Sequence, residues 1–334
     1  MDAHIQLDPR EKALLDGLSE EEAGIFSQYL FSIPKNPSGK PHLKSRAIGL
    51  YDPFCDRRFH PMGIIWQCAP YSFCDHMCTY CYGRSYLRQF GGGARVKSGF
   101  LRDLDRDLAA LESLKCSPRH ISLANSTDVL QYALERKFRH TLYLLERLAK
   151  NRHLFSSACI LTKAPAVLLD DGRYIEAIST LHLEVQISIA FWDDAQGRRL
   201  EPGAPPVSER RQAAVELVKK GVPVALRLDP LFPRGVPGCA EYQGLDTDIR
   251  PLIGWAVESG VSYVITSALK QPFMRNRVDW FYNSLLPVFS ELKGCYRRMP
   301  KSLQEKLISD VQDVCQRHGI PMEHCFHNIL KRRV

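Results

Sequence analysis

Along residues 62–270, short apolar runs alternate with amphipathic stretches whose hydrophobic positions recur at helical spacing. The runs cover 62–68, 120–124, 157–161, 183–189, 222–228 and 261–266. The helical stretches lie near 99–114, 130–150, 166–180, 206–220, 246–259 and 276–292. Strands joined by helix-length crossovers pair in parallel, so six such units predict a parallel sheet with helices packed on it. Several runs are apolar almost throughout, which predicts strands covered on both faces. Six units suit a partial (β/α)6 barrel better than an eight-unit barrel, and a doubly wound open sheet is the other topology.

Three regions follow from this pattern. Residues 1–61 hold an amphipathic helix over 9–32 and then a Pro-, Lys- and Arg-rich extended arm. Residues 62–270 form the partial barrel, and 271–334 a C-terminal helical extension. In folds of this type the site lies at the carboxyl ends of the strands. Chemically unusual residues should therefore follow each run, and they do. A cysteine cluster follows the first, Asn125-Ser126-Thr127-Asp128 the second, Thr162-Lys163 the third, Phe191-Trp192-Asp193 the fourth, Asp229-Pro230 the fifth and Ser267 the sixth.

Composition narrows the class. The 334 residues are 45% hydrophobic and 25% charged, ordinary for a globular protein with a sizeable core. No stretch nears the roughly 18–20 apolar residues of a membrane span. The opening residues resemble neither a secretory signal nor a transit peptide, so a cytoplasmic setting is expected. Eleven cysteines without a signal point to metal or cluster binding rather than a disulfide scaffold. The net charge of +8 is modest, but eight Lys and Arg against four acids fall in the last forty residues. Such a tail is either a solvated surface or a contact for a polyanion such as nucleic acid.

Cys74, Cys78 and Cys81 form a Cys-x3-Cys-x2-Cys motif on an otherwise polar loop. Three thiolates on a tight loop can hold three corners of a cubane iron–sulfur cluster, which ordinarily takes four cysteines. One iron is then open to another donor. Three other readings compete: a zinc site completed by His76, a four-cysteine cluster recruiting a distant thiol, and unrelated core cysteines, for which adjacent spacing on a polar loop is a poor arrangement.

The motif, with Tyr80 before the last cysteine, resembles the signature of the radical S-adenosylmethionine (SAM) superfamily. Pro70-Tyr71 and Tyr80-Cys81-Tyr82 resemble the spore photoproduct lyase-like, or DNA repair photolyase-like, branch. The likeness continues through Ser126-Thr127-Asp128, Thr162-Lys163, Ser188-Ile189, Glu201-Pro202 with Arg210, and Asp229-Pro230. It covers residues 62–270 and neither flank.

The resemblance implies that Cys74, Cys78 and Cys81 bind a [4Fe–4S] cluster whose open iron takes the methionine end of S-adenosyl-L-methionine. Reductive cleavage would yield a 5′-deoxyadenosyl radical that abstracts hydrogen from a substrate, with an external one-electron reductant such as flavodoxin or ferredoxin. Lys163 matches the cation for the cofactor carboxylate and Ser188 a hydroxyl contact; Asp229 is a further cofactor-side residue. Tyr80 would lie beside the adenine, and Asn125 and Ser126 would border the amino group. Glu201 and Arg210 read as a structural ion pair.

One departure matters. Spore photoproduct lyase proper uses a cysteine as hydrogen donor at the end of the second strand, where this chain has Asn125. Tyr82, matching a relay tyrosine, is kept, and Cys239 in a turn-rich loop after the fifth run is the substitute thiol. Cys239, Cys295, Cys315 and Cys325, with His324 and His327, could alternatively complete an auxiliary cluster or metal site. Two functions result: a radical enzyme acting on a nucleic acid or nucleoside, with peptides and small metabolites as further substrate classes, or a non-catalytic nucleic-acid-binding module with a zinc or structural cluster.

Overall fold

A computed structural model of the chain describes residues 47–51, 65–81, 93–113, 120–124, 127–272, 280–289, 291–293 and 296–324. The helix expected at 9–32 and most of the extended arm lie outside these residues. In chain order come β1 (Ile48–Tyr51), β2 (Ile65–Cys68), β3 (Tyr71–Ser72), β4 (Arg95–Val96), α1 (Phe100–Ser113) and β5 (His120–Leu123). Then follow α2 (Tyr132–Phe138), α3 (His140–Lys150), β6 (Ser157–Thr162), α4 (Gly172–Leu181), β7 (Glu184–Ser188), α5 (Asp194–Leu200) and α6 (Val207–Lys219). The remainder is β8 (Val224–Leu231), α7 (Arg250–Glu258), β9 (Val264–Ala268), β10 (Lys270–Pro272), α8 (Trp280–Asn283), β11 (Glu291–Lys293), β12 (Tyr296–Arg298), α9 (Lys301–Arg317) and β13 (Met322–His324).

All six apolar runs become adjacent strands. The main sheet has the order β1-β2-β5-β6-β7-β8-β9-β13, parallel throughout except for β1, and it does not close. It is thus an open, partial barrel-type α/β sheet. No helix of the described residues is long and apolar enough to cross a membrane.

The central strands are buried on both faces, as expected, but the two faces differ in chemistry. Ile121, Ile160, Val185, Ile187, Leu226 and Val264 share one continuous core with the helices. Residues one position along each strand face the other way. There His120 meets Ser157 at 2.6 Å, Cys159 meets Ser122 at 3.4 Å, Tyr263 donates to Glu184 at 2.5 Å, and Arg227 donates to Gln186 at 3.0 Å. This face is a buried hydrogen-bonded network, as burial of polar groups requires.

Helix boundaries follow local chemistry. The stretch near 130–150 is two helices, broken at Arg139 with φ +54°. The buried Glu135 carboxylate accepts the amides of Thr141 and Leu142, capping the first turn of α3. Within the described part of the helix expected over 276–292, the α-helix ends with α8 at Asn283, because Asn283-Ser284 turns the chain and Pro287 lacks an amide proton. Strands β10, β11 and β12 flank this segment and build a small antiparallel sheet in the order β10-β12-β11. The extension past residue 271 thus contributes strands as well as the helix α9, and β13 joins the main sheet beside β9.

Candidate functional site

Three of the strand-end loops carry the expected residues to one place. Beyond β3 the chain turns through Phe73 and Met77, both at positive φ (63° and 51°), which costs energy for residues with a Cβ. Surrounding contacts hold this shape. Gln131 donates to the Phe73 carbonyl at 3.0 Å and accepts the Asp75 amide at 2.8 Å, and Thr127 also donates to the Phe73 carbonyl. His76 Nε2 lies 2.9 Å from Asp128, and its Nδ1 lies 3.4 Å from the Gly203 carbonyl. The Thr79 amide donates to Leu200 at 2.8 Å and the Gly203 amide to His76 at 3.0 Å.

Gly203 is required by this approach: a Cβ there would sit 2.0 Å from the Asp75 carbonyl oxygen. Asp128 is the hub on the opposite side. Besides His76 it accepts Thr162 Oγ1 at 3.0 and 3.1 Å, the Leu130 amide at 2.8 Å and the Lys163 amide at 2.6 Å. Burial would raise its pKa, but His76 and these donors outweigh burial and hold it below the ordinary value. One carboxylate thus ties the cysteine loop to the ends of β5 and β6.

The cysteine loop carries Cys78 buried and Cys74 and Cys81 half-buried. Burial pushes the Cys78 thiol up to about 12 against the opposing pull of Lys163, and burial also raises Cys74. Cys74 feels the charge of Cys78, and Cys78 that of Cys81, so the three sulfurs share one neighbourhood. Yet they do not all lie within 4.8 Å of one another. A tetrahedral zinc at about 2.3 Å from each thiolate needs sulfurs about 3.8 Å apart. A cubane spreads its thiolates over separate irons. Three soft thiolate donors on one loop fit the cluster. Cys74, Asp75 and His76 offer donor atoms within 4.8 Å, the one such grouping among the described residues.

Beside this loop lies a second charged cluster. Glu201 and Arg210, 0% and 1% exposed, form an ion pair at 2.5 Å. Lys163 reaches the same carboxylate at 3.2 Å and donates to Ser188, and the Tyr80 hydroxyl donates to Glu201. Burial alone would raise the Glu201 carboxyl; Arg210 and then Lys163 overcome it and hold the group at about 2. One carboxylate and two cations leave a net charge of +1 next to Cys78. The Tyr80 ring is buried against Phe232, edge-on at 5.3 Å between centroids. Asp229, at the end of β8, accepts Arg227 and Ser267, each at 2.6 Å.

Of the residues expected from the sequence, Cys74, Cys78, Cys81, Tyr80, Lys163 and Ser188 converge, with Asp229 one strand further on. The Glu201–Arg210 pair forms. Tyr82, Asn125 and Ser126 lie outside the described residues, as do Cys295, Cys325 and His327. Cys315 lies buried on the core face of α9, and Cys239 sits half-buried in the loop after β8. Sequence reasoning missed Asp128 as a hub, Gln131 and Gly203. Only the position of Gly203 just after Glu201-Pro202 hinted at a close approach.

No protein-family model and no curated protein matches the chain. Solved structures do. Spore photoproduct lyase complexed with dinucleoside spore photoproduct is similar at a TM-score of 0.59, with 12% identity, covering 78% of this chain and 75% of that one. A mutant of that lyase with bound AdoMet and dinucleoside spore photoproduct gives a TM-score of 0.58, with 12% identity and the same coverage of 78% and 75%. Streptococcus suis SuiB bound to precursor peptide SuiA gives a TM-score of 0.50, with 13% identity over 79% of this chain and 49% of that one. These neighbours are radical SAM enzymes, and the likeness establishes that this chain has their fold.

Proposed function

We propose that the chain is a radical SAM enzyme in which Cys74, Cys78 and Cys81 hold a [4Fe–4S] cluster. The observation that carries the reading is a three-cysteine loop set beside Lys163 and Ser188 at the carboxyl end of a parallel sheet. Reductive cleavage of S-adenosylmethionine at such a cluster supplies a 5′-deoxyadenosyl radical that abstracts hydrogen from substrate. The protein's own share is binding, orientation and exclusion of water.

The net positive charge of the Lys163, Arg210 and Glu201 cluster suits one incoming carboxylate, with Lys163 as its direct partner and Ser188 as a neighbouring hydroxyl. By the resemblance, Asn125 and Ser126 would border the amino group and Tyr80 the adenine, with Asp229 a further cofactor-side residue. Tyr82 and Cys239 are the candidates for returning a hydrogen atom to the product radical. A flavodoxin- or ferredoxin-type donor supplies the electron. A reducing cytoplasm suits eleven cysteines.

The substrate class we favour is a nucleic acid or nucleoside, from the lyase-like motif and the basic C-terminal residues. A peptide is the competing class, since SuiB shares the fold and binds one. The test is anaerobic reconstitution followed by iron, sulfide and zinc analysis, then reductant with S-adenosylmethionine. About four irons and release of 5′-deoxyadenosine are expected, with both lost on Cys78→Ser. Zinc without iron, or a full cluster with no cleavage under any candidate substrate, overturns the reading. Oligonucleotide affinity that falls steeply with salt supports the substrate class.

A further inference from the structure

We infer that the turn at residues 280–285 is a clasp that locks the cysteine loop and the Cys239 loop together, with Tyr282 as a positioning residue for the cluster. The inference rests on the proposed cluster at Cys74, Cys78 and Cys81. The turn lies outside the region that resembles the family by motif, yet it reaches into the centre of the site.

Tyr282 donates its hydroxyl to the Tyr80 carbonyl at 2.7 Å, across 202 residues of sequence, with a longer 3.3 Å approach to the Lys270 carbonyl. The Tyr80 carbonyl and the Cys81 amide belong to one peptide unit. The hydroxyl therefore fixes the plane of the peptide that leads into the third cluster ligand, whose own amide donates to the Cys78 carbonyl at 3.2 Å. Two residues on, Ser284 grips the other loop. Its carbonyl accepts the amide of Ala240, directly after Cys239, at 3.3 Å, and its hydroxyl lies 2.7 Å from the Tyr242 hydroxyl.

The clasp is packed as well as bonded. The Phe281 ring sits 5.0 Å from Tyr242, 6.0 Å from Phe232 and 6.5 Å from Tyr80, and all of these rings are buried. Plain core packing accounts for Phe281. It does not call for a buried hydroxyl aimed at the peptide between two ligands. Hydrogen bonding and solvent exclusion around the cysteine sulfurs set a cluster's potential. Holding the 80–81 peptide still is thus a way to tune the cluster, and the Ala240 contact holds Cys239 in a set place relative to it.

The test is Tyr282→Phe, which keeps the ring and removes the hydroxyl, alongside Ser284→Ala. In cluster-free protein, amide hydrogen exchange is followed by mass spectrometry on peptides covering 78–81, 239–242 and, as control, 157–162. Tyr282→Phe should speed exchange about five- to tenfold at 78–81 while the control is unchanged. Ser284→Ala should act at 239–242 alone. After reconstitution, Tyr282→Phe should retain its iron but show shifted electron paramagnetic resonance g values and a shifted midpoint potential. Unchanged exchange at 78–81, or equal acceleration of the control peptide, overturns the clasp. Because exchange is read without a cluster, failure of the proposed radical chemistry would show separately, as absent iron or absent cleavage in the unaltered protein.

Discussion

Replacing Glu201 with glutamine keeps the size of the side chain and removes the single negative charge from a cluster holding Arg210 and Lys163. The carboxyl is held at about 2 against an ordinary 4.5, which converts at about 1.4 kcal/mol per pH unit to roughly 3 kcal/mol of stabilisation. The group is fully buried, so no screening by solvent reduces this figure. Removing one partner of a buried pair costs about 3–5 kcal/mol in general, which agrees. Arg210→Met should cost less, about 2 kcal/mol, because Glu201 keeps Lys163 at 3.2 Å and the Tyr80 hydroxyl. The double variant Glu201→Leu with Arg210→Met should recover part of the loss, since neither charge is then stranded.

The assay is urea unfolding of cluster-free protein by circular dichroism, where about 3 kcal/mol at a slope of about 3 kcal/mol per molar lowers the midpoint by about 1 M. The pH dependence carries the same signature. A depressed carboxyl stabilises fully above its unfolded value near 4.5, and the stabilisation is lost as pH falls towards about 2. Glu201→Gln should flatten that part of the curve. A midpoint shift below about 0.2 M, or a larger cost for Arg210→Met than for Glu201→Gln, refutes the reasoning.

Two further outcomes are expected. Gly203→Ala places a methyl 2.0 Å from the Asp75 carbonyl oxygen and 3.1 Å from the His76 Cα, backbone that cannot turn aside. It should cost about 2–4 kcal/mol and lower iron retention; wild-type stability and iron content would show that the loop is not seated as described. Lys163→Met should leave iron content unchanged and weaken S-adenosylmethionine binding about tenfold or more, the loss of a charge-assisted hydrogen bond; equilibrium dialysis giving unaltered affinity would remove Lys163 from the cofactor site.

Much of the chain was legible locally. Six apolar runs became six neighbouring strands, because a buried strand and an amphipathic helix each write their period into consecutive residues. The cysteine motif was equally legible, since all three thiols sit within eight residues. So were Lys163 and Ser188, each at the end of its own run.

Other features carried no local period. The strands β1 and β13 span four and three residues, too few to show alternation, and are strands only through pairing with β2 and β9. The face bearing Cys159, Glu184, Gln186 and Arg227 reads as scattered polar letters until parallel pairing lines them up. By itself the sequence determined the fold class, the order of its units and the three thiols. Only the tertiary structure decided that Asp128, Gly203, Glu201 and Tyr282 converge on the loop carrying them. Those contacts join residues about 50 to 200 positions apart, and packing of the whole sheet, rather than any local preference, sets such distances.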